Sequence, residues 1–446
     1  MQPESIVIIR PAKRVVGSIS VPGDKSISHR AAMLAAIADG TSQIRNYATS
    51  ADCASTLSCL QKLGVRIERD GAQIVIHGVG AKGLSQPEGD LDCGNSGTTM
   101  RLLAGIVAGQ NLATALTGDE SLRSRPMQRV IEPLELMGAV VSSDNGRAPL
   151  RIQGRDALKP IDYELLVASA QVKSCILLAG LTAEGKTTVV ENEITRDHTE
   201  RLLRWFGAPL EVGKPKREPD QARFAAVTGP AQLRARNLTI PGDISSAAYF
   251  VGASAMLPGS TLEINDVGLN ETRTALLEIL AAMNFIEVSN AHEEAGEPVG
   301  TIRMSGTGAA PPLKELDAPL EIGGPQIPRL IDELPLLAVI GSQTRGGIEI
   351  RNAKELRMKE SDRIATTVEA LRAMGGSVEE FEDGLRVTGS TKLNGARIDS
   401  HGDHRIAMSF AIAGLVAEGE TEIVGAECVA ISFPEFFDLL ESVVER

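Results

Sequence analysis

Charged and small polar residues recur at corresponding places along this chain, at the points where apolar helical segments begin. The N–H groups in the first turn of a helix have no partner within the helix, and that end carries a partial positive charge. Several such helix ends facing one space would therefore bind a small anion. The residues at these starts are Lys25, Ser26, Arg30, Asn95, Ser96, Gly97, Ser169, Gln171, Asp332, Glu333, Asp403, His404 and Arg405.

A second set of charged residues lies where amphipathic helical segments begin, and it comprises Arg123, Arg125, Arg196, Lys359, Glu360 and Arg363. A guanidinium group binds two oxygens of a phosphate or carboxylate at once. A single arginine at a helix end is ordinarily a solvated charge, but recurrence at equivalent positions favours a binding site. The chain as a whole has a net charge of −13 and only 3% aromatic residues. This composition favours a small anionic substrate over a nucleic acid.

The elements that position these residues repeat six times. Each repeat has an apolar helix, a small turn and a strand, and the turn residues lie between 70 and 87 residues apart along the chain. A second helix with one apolar face follows the strand of every repeat, that of the fourth repeat being expected over residues 271–284, and short alternating strands follow in all repeats but the sixth. The turn residues are Gly40, Gln110, Gly185, Gly259, Gly346 and Gly419.

The repeats predict an α/β fold with two similar lobes of three repeats each. The stretch beginning at Pro241 resembles the stretch beginning at Pro22, so the second half repeats the first. We expect the first lobe to span residues 22–240 and the second to combine residues 1–21 with residues 241–446. In this interpretation the N-terminal strands complete the sixth repeat, which ends at Arg446 without its closing strands, because an open sheet edge is a liability.

Two segments match nucleotide-binding sequence patterns, but the elements predicted on either side of them are not those that nucleotide binding requires. Residues 180–187 match the pattern of a phosphate-binding loop, but a helix precedes them and a strand follows, which is the reverse of the order such a loop needs. Residues 78–83 match a dinucleotide-binding pattern, but the segment after them is rich in helix-breaking residues. Both are interpreted as ordinary connections.

Other features exclude further classes of protein. The five cysteines form an odd set without a C-x-x-C pair, which indicates a reducing compartment. His401 and His404 could suggest a metal, but no third ligand group accompanies them, so we expect no metal site. No apolar run approaches the roughly 18 residues of a membrane span, and the first ten residues do not form a signal peptide. We expect a cytoplasmic monomer without membrane or nucleic-acid partners.

Several motifs together resemble the 5-enolpyruvylshikimate-3-phosphate synthase family. They lie in family order over essentially the whole chain: VPGDKSISHRA, GNSGTTMR, LTGDESLRSRPM, SAQVKS, IDELPLLAV, LRMKESDR and GDHRIAMSF. The resemblance implies an enolpyruvyl transferase fold of the inside-out α/β barrel type, with two lobes of three βαβαββ units and the active site in the cleft between them. It implies transfer of the enolpyruvyl group of phosphoenolpyruvate to the 5-hydroxyl of shikimate 3-phosphate, a step of aromatic amino-acid biosynthesis.

The resemblance also implies roles for individual residues. It makes Asp332 the proton acceptor, Glu360 its partner in proton transfer, and Lys25 a contact of both substrates. Shikimate 3-phosphate would be bound by Lys25, Ser26, Arg30, Ser169, Ala170, Gln171, Arg196, Asp332 and Lys359. Phosphoenolpyruvate would be bound by Lys25, Asn95, Gly97, Arg125, Gln171, Glu360, Arg363, His404 and Arg405. From sequence alone Asp332 could equally be a helix N-cap.

The expected chemistry explains the residue types. Carbon 2 of phosphoenolpyruvate becomes electrophilic once carbon 3 is protonated, and the attacking hydroxyl must lose a proton to a carboxylate base. Cations offset the repulsion between the two anionic substrates and stabilise the leaving phosphate. No metal or organic cofactor is required.

The sequence departs from the commonest family pattern near its C-terminus. Ile431 and Ser432 stand where many members have a lysine that contacts phosphoenolpyruvate, a feature that resembles the divergent second class. Gly97 leads us to expect inhibition by glyphosate.

Two alternative functions are less well supported. A UDP-N-acetylglucosamine enolpyruvyl transferase would have a cysteine shortly before Arg125-Pro126, and a non-catalytic repeat scaffold would not need Asp332 and Glu360.

Overall fold

The computed structural model of the protein describes residues 5–215, 222–281, 286–305 and 318–446. The chain divides into two compact units. The first unit comprises residues 23–241 and 293–297, and the second comprises residues 1–22, 242–292 and 298–446. The end of the helix expected over residues 271–284 lies outside the described residues. The described part of the chain contains no helix with both the length and the apolarity needed to cross a membrane.

The helices are α1 Lys25–Ala36, α2 Ala51–Lys62, α3 Gly97–Ala108, α4 Glu120–Ser124, α5 Gln128–Leu136, α6 Ala170–Gly180, α7 His198–Trp205, α8 Ile244–Met256, α9 Ala275–Ala281, α10 Ile327–Leu330, α11 Leu334–Gln343, α12 Arg363–Ala373, α13 His404–Val416 and α14 Phe436–Val443. The strands are β1 Ile6–Ile9, β2 Arg14–Ser20, β3 Ala38–Arg45, β4 Arg66–Asp70, β5 Gln73–Val79, β6 Leu91–Asp92, β7 Ala113–Thr117, β8 Val140–Asp144, β9 Arg147–Gln153, β10 Asp162–Glu164, β11 Gly185–Glu191, β12 Leu210–Gly213, β13 Arg223–Gly229, β14 Leu233–Arg234, β15 Leu238–Thr239, β16 Thr261–Gly268, β17 Ile286–Glu294, β18 Glu297–Ser305, β19 Leu320–Ile322, β20 Ile348–Ile350, β21 Val378–Phe381, β22 Gly384–Val387, β23 Arg397–Asp399, β24 Thr421–Val424 and β25 Val444–Glu445.

The first unit contains three sheets with one shared topology. Their strand orders are β14-β3-β5-β4, β6-β7-β9-β8 and β10-β11-β13-β12, and β15 adds a second parallel partner to β3. In each sheet the first pair is parallel and the next two pairs are antiparallel. The strands β14 and β15 come from the end of the unit and pair with its first strand, so the three repeats close on themselves.

The second unit repeats this topology with strands from both ends of the chain. Its sheets have the orders β17-β18-β16-β2-β25, β19-β20-β22-β21 and β1-β24-β23. β1 pairs antiparallel with β24 in the sixth repeat, whereas β2 pairs parallel with β16 in the fourth. The expected completion of the sixth repeat therefore rests on β1 alone. The last residues also form a short strand, β25, against β2 rather than ending without one.

The first helix of each repeat is buried almost all round. Every residue of α8 is buried, as are most residues of α3, α6, α11 and α13. Burying a Leu or Ile side chain contributes about 1.5–3 kcal/mol, so these apolar helices form the core of each unit. A helix buried this way can expose functional groups only at its ends. The candidate site residues on these first helices lie at the N-terminal ends.

Aspartate or serine side chains cap most of these N-terminal ends. Asp24, Ser96, Ser169, Asp243 and Asp403 each accept a hydrogen bond from a backbone N–H of the first turn. The caps fix where each helix begins and therefore where the residues beside the cap point.

Two elements differ from the expectation. The second helix of the second repeat, expected to begin at Arg125, begins at Gln128 as α5, and a separate short helix, α4, ends at Ser124 before Pro126. Proline fixes φ and donates no hydrogen bond, so the chain leaves the helix at Arg125, whose backbone is extended. Gly40, expected in a turn, lies within β3 with φ of +108°. The helix α1 ends earlier than expected, and β3 begins at Ala38.

Candidate active site

Arg30 lies on α1 and is held by three hydrogen bonds within the first unit. Its Nε donates to Thr199 Oγ1 at 2.6 Å, its Nη2 donates to Ser174 Oγ at 2.9 Å, and its Nη1 donates to the backbone oxygen of Ser26 at 2.9 Å. Burial lowers the pKa of Arg30 to about 10, although the nearby Glu200 carboxylate raises it. Arg30 remains charged at neutral pH, and its guanidinium is fixed before any substrate binds.

Lys25 begins the same helix and pairs with an acidic residue of α2. Its Nζ lies 3.0 Å from Asp52 Oδ2, and the Lys25 side chain is 17% exposed. Asp24 caps the helix through the backbone N–H of Ile27. Lys25, Ser26 and the buried Arg30 therefore lie within the first two turns of α1.

Arg125 and Asn95 form the second part of the site in the first unit. Arg125 Nη2 donates to Asn95 Oδ1 at 2.7 Å and to Ser121 Oγ at 3.1 Å. The Asn95 Nδ2 donates in turn to Asp119 Oδ2 at 2.8 Å. Asp119 also caps α4 by accepting from the backbone N–H of Leu122. Arg125 is 6% exposed. A chain of hydrogen bonds from Asp119 through Asn95 therefore fixes a guanidinium group that is almost completely buried.

Gln171 connects α6 to α3. Its Oε1 accepts from Arg101 Nη1 at 2.7 Å, and its Nε2 donates to Thr98 Oγ1 at 2.9 Å. A Cβ atom placed on Gly97 would lie 2.6 Å from Arg101 Nη1 and 3.6 Å from Arg125 Nη1. Gly97 thus leaves room beside two guanidinium groups. Ser169 caps α6 through the backbone N–H of Val172, next to Ala170.

Arg363 is the centre of the site in the second unit. It is 1% exposed and pairs with Asp403 (Nε to Oδ2, 2.8 Å), Glu360 (Nη2 to Oε2, 2.6 Å) and Asp332 (Nη1 to Oδ1, 3.3 Å). Burial alone would lower the pKa of Arg363, but these three carboxylates outweigh burial and raise it. The two carboxylates expected to transfer protons therefore contact one permanently charged guanidinium.

Arg405 lies beside this group on α13. Its Nη2 is 3.9 Å from Asp332 Oδ2, its Nη1 is 3.5 Å from the Tyr249 hydroxyl, and its backbone N–H donates to Asp403 Oδ1 at 2.8 Å. Burial would lower the pKa of Arg405, but Tyr249 and the carboxylates of Asp332 and Glu333 raise it well above the usual value. Burial raises the pKa of Tyr249, although Arg405 lowers it, so this hydroxyl stays protonated at neutral pH.

The remaining expected residues lie near these groups. His404 is buried, with Nδ1 4.0 Å from Asp403 Oδ1, and Lys359 Nζ lies 3.8 Å from Glu355 Oε1. Arg196 is half-buried, and its charge lowers the pKa of Arg30. The expected residues therefore divide between the two units, with Lys25, Arg30, Asn95, Arg125 and Gln171 in the first and Asp332, Lys359, Glu360, Arg363, His404 and Arg405 in the second. Arg123 is exposed on α4.

Sequence reasoning missed several residues of these groups. Arg101 lies four residues after Gly97 on α3, and Tyr249 lies four residues after Ser245 on α8, so the helical period could have identified both. Ser174, which holds Arg30, lies four residues after Ala170 on α6, so the same period could have identified it. Thr199 carries no such signal because Ser and Thr are common at helix starts.

Residues 180–187, interpreted as a connection, run from the end of α6 into β11. Lys186 of the 180–187 segment pairs with Glu211 on the exposed face of β11 and β12. His401 Nε2 lies 3.3 Å from Glu369 Oε2 at the surface. Within the described ranges, no group of three or more His, Cys, Asp or Glu residues could hold a metal ion. All five cysteines are free and buried.

The fold and the site define a class of protein. The protein has two units of repeated α/β structure, and each unit holds arginines in fixed positions near helix starts. The second unit also holds a pair of carboxylates. This combination is typical of an enzyme that joins small anionic substrates. Residues 9–440 match the family model of EPSP synthase (3-phosphoshikimate 1-carboxyvinyltransferase). The chain belongs to the EPSP synthase family, and its activity in the shikimate pathway is the family's carboxyvinyl transfer.

Individual relatives support this membership over the full length. The chain is 52% identical over 445 residues to the 3-phosphoshikimate 1-carboxyvinyltransferase of Koribacter versatilis, with 99% of each chain covered. It is 50% identical over 443 residues to that of Gloeobacter violaceus, covering 98% of this chain and 99% of the relative. The structure of an EPSP synthase from Acinetobacter baumannii superposes with a TM-score of 0.84 at 40% identity, covering 99% of this chain and 98% of that one. The family and fold predictions are confirmed.

Proposed function

We propose that the two groups of residues bind the two substrates of the family reaction. Shikimate 3-phosphate and phosphoenolpyruvate each carry a carboxylate and a phosphate, so together they need several fixed cations. The proposed shikimate 3-phosphate residues are Lys25, Ser26, Arg30, Ser169, Ala170, Gln171, Arg196, Asp332 and Lys359. The proposed phosphoenolpyruvate residues are Lys25, Asn95, Gly97, Arg125, Gln171, Glu360, Arg363, His404 and Arg405.

The observation that carries these roles is the arrangement around Arg363. One buried guanidinium contacts both Asp332 and Glu360, at 3.3 Å and 2.6 Å. A base that takes a hydroxyl proton and an acid that protonates carbon must both lie near the reacting atoms. Because one rigid group orients both carboxylates, they can act on adjacent atoms of the joined substrates.

The proposed reaction proceeds by addition and elimination. Carbon 3 of phosphoenolpyruvate takes a proton from a site acid, for which Glu360 and Lys25 are the candidates, and carbon 2 becomes electrophilic. The 5-hydroxyl oxygen of shikimate 3-phosphate attacks carbon 2 and loses its proton to Asp332. The new methyl group of the tetrahedral adduct then loses a proton, the bond from carbon 2 to the phosphate oxygen breaks, and inorganic phosphate leaves. The proton count and the electron count balance without an oxidant, a reductant or a metal.

The fixed arginines would lower the barrier by stabilising charge. Hydrogen bonds to Thr199 and Ser174 hold the Arg30 guanidinium, and a hydrogen bond to Asn95 holds that of Arg125, so both cations have fixed positions. Fixed donors aimed at developing charge cost no reorganisation during the reaction. We assign Arg30 to the shikimate part and Arg125 to phosphoenolpyruvate.

The assignment is tested by measuring phosphate release and product mass with purified protein. We expect one phosphate per enolpyruvyl product when both substrates are present, and none when either is omitted. Replacing shikimate 3-phosphate by UDP-N-acetylglucosamine should give no phosphate. Release with the nucleotide sugar, or no release with the correct pair, would contradict the proposal.

We also propose that glyphosate inhibits the enzyme in competition with phosphoenolpyruvate. The support is Gly97, which leaves room beside Arg101 and Arg125 for an inhibitor that carries a phosphonate and a carboxylate. Inhibition is measured by titrating glyphosate at several phosphoenolpyruvate concentrations. Equal turnover with and without millimolar glyphosate would refute it.

The protein is further proposed to act as a monomer in the cytoplasm. One chain supplies all residues assigned to both substrates, and five free buried cysteines suit a reducing compartment. Light scattering during active turnover should give the mass of one chain. A stable dimer at assay concentrations would overturn the monomer assignment.

A further inference from the structure

Arg273 is a buried arginine that the proposed function does not use. It precedes α9 at the position that Arg125, Arg196 and Arg363 occupy before or at the second helices of other repeats. Arg273 is 3% exposed. Those three arginines are assigned to substrates, so the repeat raises the question of what Arg273 does instead.

The partners of Arg273 lie at the starts of α8 and α11. Its Nη2 donates to the Ser245 hydroxyl, and that hydroxyl donates to Glu333 Oε1. The same Nη2 lies 3.9 Å from Glu333 Oε1 and 4.0 Å from Asp243 Oδ1. Arg273 is thus the cation that neutralises a buried carboxylate at the start of α11.

Glu333 also lies within the electrostatic range of Arg405. Burial would lower the pKa of Arg405, and Glu333 is among the groups that raise it. The second carboxylate oxygen of Glu333, Oε2, is buried and accepts no hydrogen bond from the described residues, and Arg405 Nε is buried and donates none to them. Glu333 Oε2, a negatively charged acceptor, and Arg405 Nε, a positively charged donor, are therefore both buried, and they do not hydrogen-bond to each other.

We propose that Arg273 is a positioning residue that holds Glu333 away from Arg405 and so leaves Arg405 available to phosphoenolpyruvate. This inference rests on the proposed function, because it gives Arg405 a substrate to bind. A buried carboxylate that loses its cation pairs with the next available one, since an uncompensated buried charge is very unfavourable. Without Arg273, the Glu333 carboxylate turns to Arg405 and competes with the substrate.

The test compares Arg273→Met with the double variant Arg273→Met/Glu333→Gln. We expect Arg273→Met to raise the KM for phosphoenolpyruvate about tenfold, the effect of a competing ion pair of ordinary strength, with a smaller change in kcat. The KM for shikimate 3-phosphate should stay within about twofold, because Arg405 is not assigned to it. The double variant removes the competing charge, so its KM for phosphoenolpyruvate should return to within about threefold of wild type.

Two further variants separate positioning from folding. Arg273→Lys keeps the charge beside Glu333, and its KM for phosphoenolpyruvate should lie closer to wild type than that of Arg273→Met. Arg351→Met removes an ion-paired arginine of the same unit that stacks on Phe381, and we expect it to leave both KM values unchanged. If Arg273→Met does not fold, the double variant is compared with Glu333→Gln alone, and the two should have equal KM values for phosphoenolpyruvate within about threefold.

The outcomes distinguish this inference from the proposed function. Wild-type protein that fails to release phosphate with both substrates would overturn both. Active wild-type protein with a double variant as impaired as Arg273→Met, or with both KM values raised equally in Arg273→Met, would overturn the positioning role alone.

Discussion

Asp403 pairs with Arg363 through both of its carboxylate oxygens, with 2.8 Å from Oδ2 to Nε and 3.3 Å from Oδ1 to Nη2. The same Oδ1 accepts the backbone N–H of Arg405 at 2.8 Å and caps α13. The fully buried Asp403 carboxylate therefore fixes the start of α13 and the direction of the Arg363 guanidinium. It also fixes the position of the Arg405 backbone. Both arginines are assigned to phosphoenolpyruvate.

Asp403→Asn should weaken phosphoenolpyruvate binding and also destabilise the fold. Asparagine can still cap α13, but it removes the charge that opposes Arg363. Glu360 and Asp332 keep part of the pairing, so we expect a loss of about 2–3 kcal/mol in the free energy of unfolding, less than for a buried ion pair with a single partner. The KM for phosphoenolpyruvate should rise at least about tenfold.

The checks are steady-state kinetics and urea denaturation of the same preparation. Asp399→Asn is the matched control, since Asp399 is an exposed carboxylate that accepts from the His401 backbone in the preceding turn. An Asp403→Asn variant whose KM for phosphoenolpyruvate equals that of the control would contradict the role of Asp403.

Asp332→Asn should impair catalysis more than substrate binding. Asparagine is nearly the same size and keeps a hydrogen-bond acceptor, but it cannot accept the hydroxyl proton. We expect kcat to fall by about 10²–10⁴, the usual contribution of a general base, and the KM for shikimate 3-phosphate, to which Asp332 is assigned, to rise by a smaller factor. Pre-steady-state and steady-state phosphate release measure both quantities. A kcat within tenfold of wild type would exclude Asp332 as the main proton acceptor.

Gly97→Ala should weaken phosphoenolpyruvate and glyphosate binding without unfolding the protein. The new Cβ would lie 2.6 Å from Arg101 Nη1, so the flexible end of that arginine must move. The φ of Gly97 is outside the left-handed range, so alanine adds no backbone strain there. We expect an unchanged melting temperature, a higher KM for phosphoenolpyruvate and a larger rise in the glyphosate inhibition constant. Equal inhibition constants for both proteins would show that the two guanidinium groups adapt freely.

Lys173→Met should destabilise the first unit strongly. Lys173 is 1% exposed, and its Nζ lies 3.0 Å from Glu191 Oε1 and 2.7 Å from Glu200 Oε1. Burial would lower the pKa of Lys173, but Glu200 and then Glu191 outweigh it and raise the pKa, so the group is charged. Removing it leaves two buried carboxylates without their cation, and we expect a loss of about 3–5 kcal/mol in the free energy of unfolding.

The matched control is Lys186→Met, which removes an exposed lysine from the 180–187 motif. Its ion pair with Glu211 lies at the surface, so stability should not change measurably. Phosphate release should also be unchanged, because the motif is a connection between α6 and β11. A large loss of activity in Lys186→Met would revive the nucleotide-binding interpretation.

His29 should make stability depend on pH below about 6.5. Burial, with contributions from the charges of Lys25 and Arg30, holds the pKa of His29 well below its usual value of about 6.5. The unfolded chain therefore binds a proton below that pH that the folded chain does not, and stability falls as pH falls, by at most about 1.4 kcal/mol per pH unit. Above pH 6.5 this contribution is complete and constant.

The measurement is urea denaturation at pH 7.5, 6.5 and 5.5 for wild type and His29→Gln. Wild type should lose more stability than the variant between pH 6.5 and 5.5, and nearly the same amount between pH 7.5 and 6.5. Parallel curves over the whole range would show that His29 has the same pKa in the folded and the unfolded chain, which would contradict the prediction.

Much of the fold follows from local patterns in the sequence. The apolar segments beginning at Thr98, Val172 and His404 form α3, α6 and α13, because an all-round apolar helix is stable only when buried. Helix capping makes Arg363 and Arg405 predictable, since the capping residues Asp362 and Asp403 precede them by one and two residues. Arg125 differs from these two, because it directly follows the last residue of α4 and precedes α5, which has no side-chain cap.

The contacts that tune the site were not predictable in the same way. The three carboxylates around Arg363 come from segments 31 and 40 residues away as well as from Glu360 nearby, and the sequence cannot specify which long side chains meet across that distance. Ser245 looked like an ordinary small residue at a helix start, and its hydroxyl joins Arg273 to Glu333. Pairing of this kind depends on how the helices pack, which no local pattern encodes.

The most direct test of the account follows the wild-type reaction in deuterium oxide and determines the mass of the enolpyruvyl product. Protonation of carbon 3 followed by loss of a methyl proton predicts deuterium in the vinyl group of the product, and no labelled product above background from Asp332→Asn over the same time. Unlabelled product formed at the normal rate would mean that carbon 3 is never protonated from solvent-exchanging groups, and the proposed addition and elimination would be wrong.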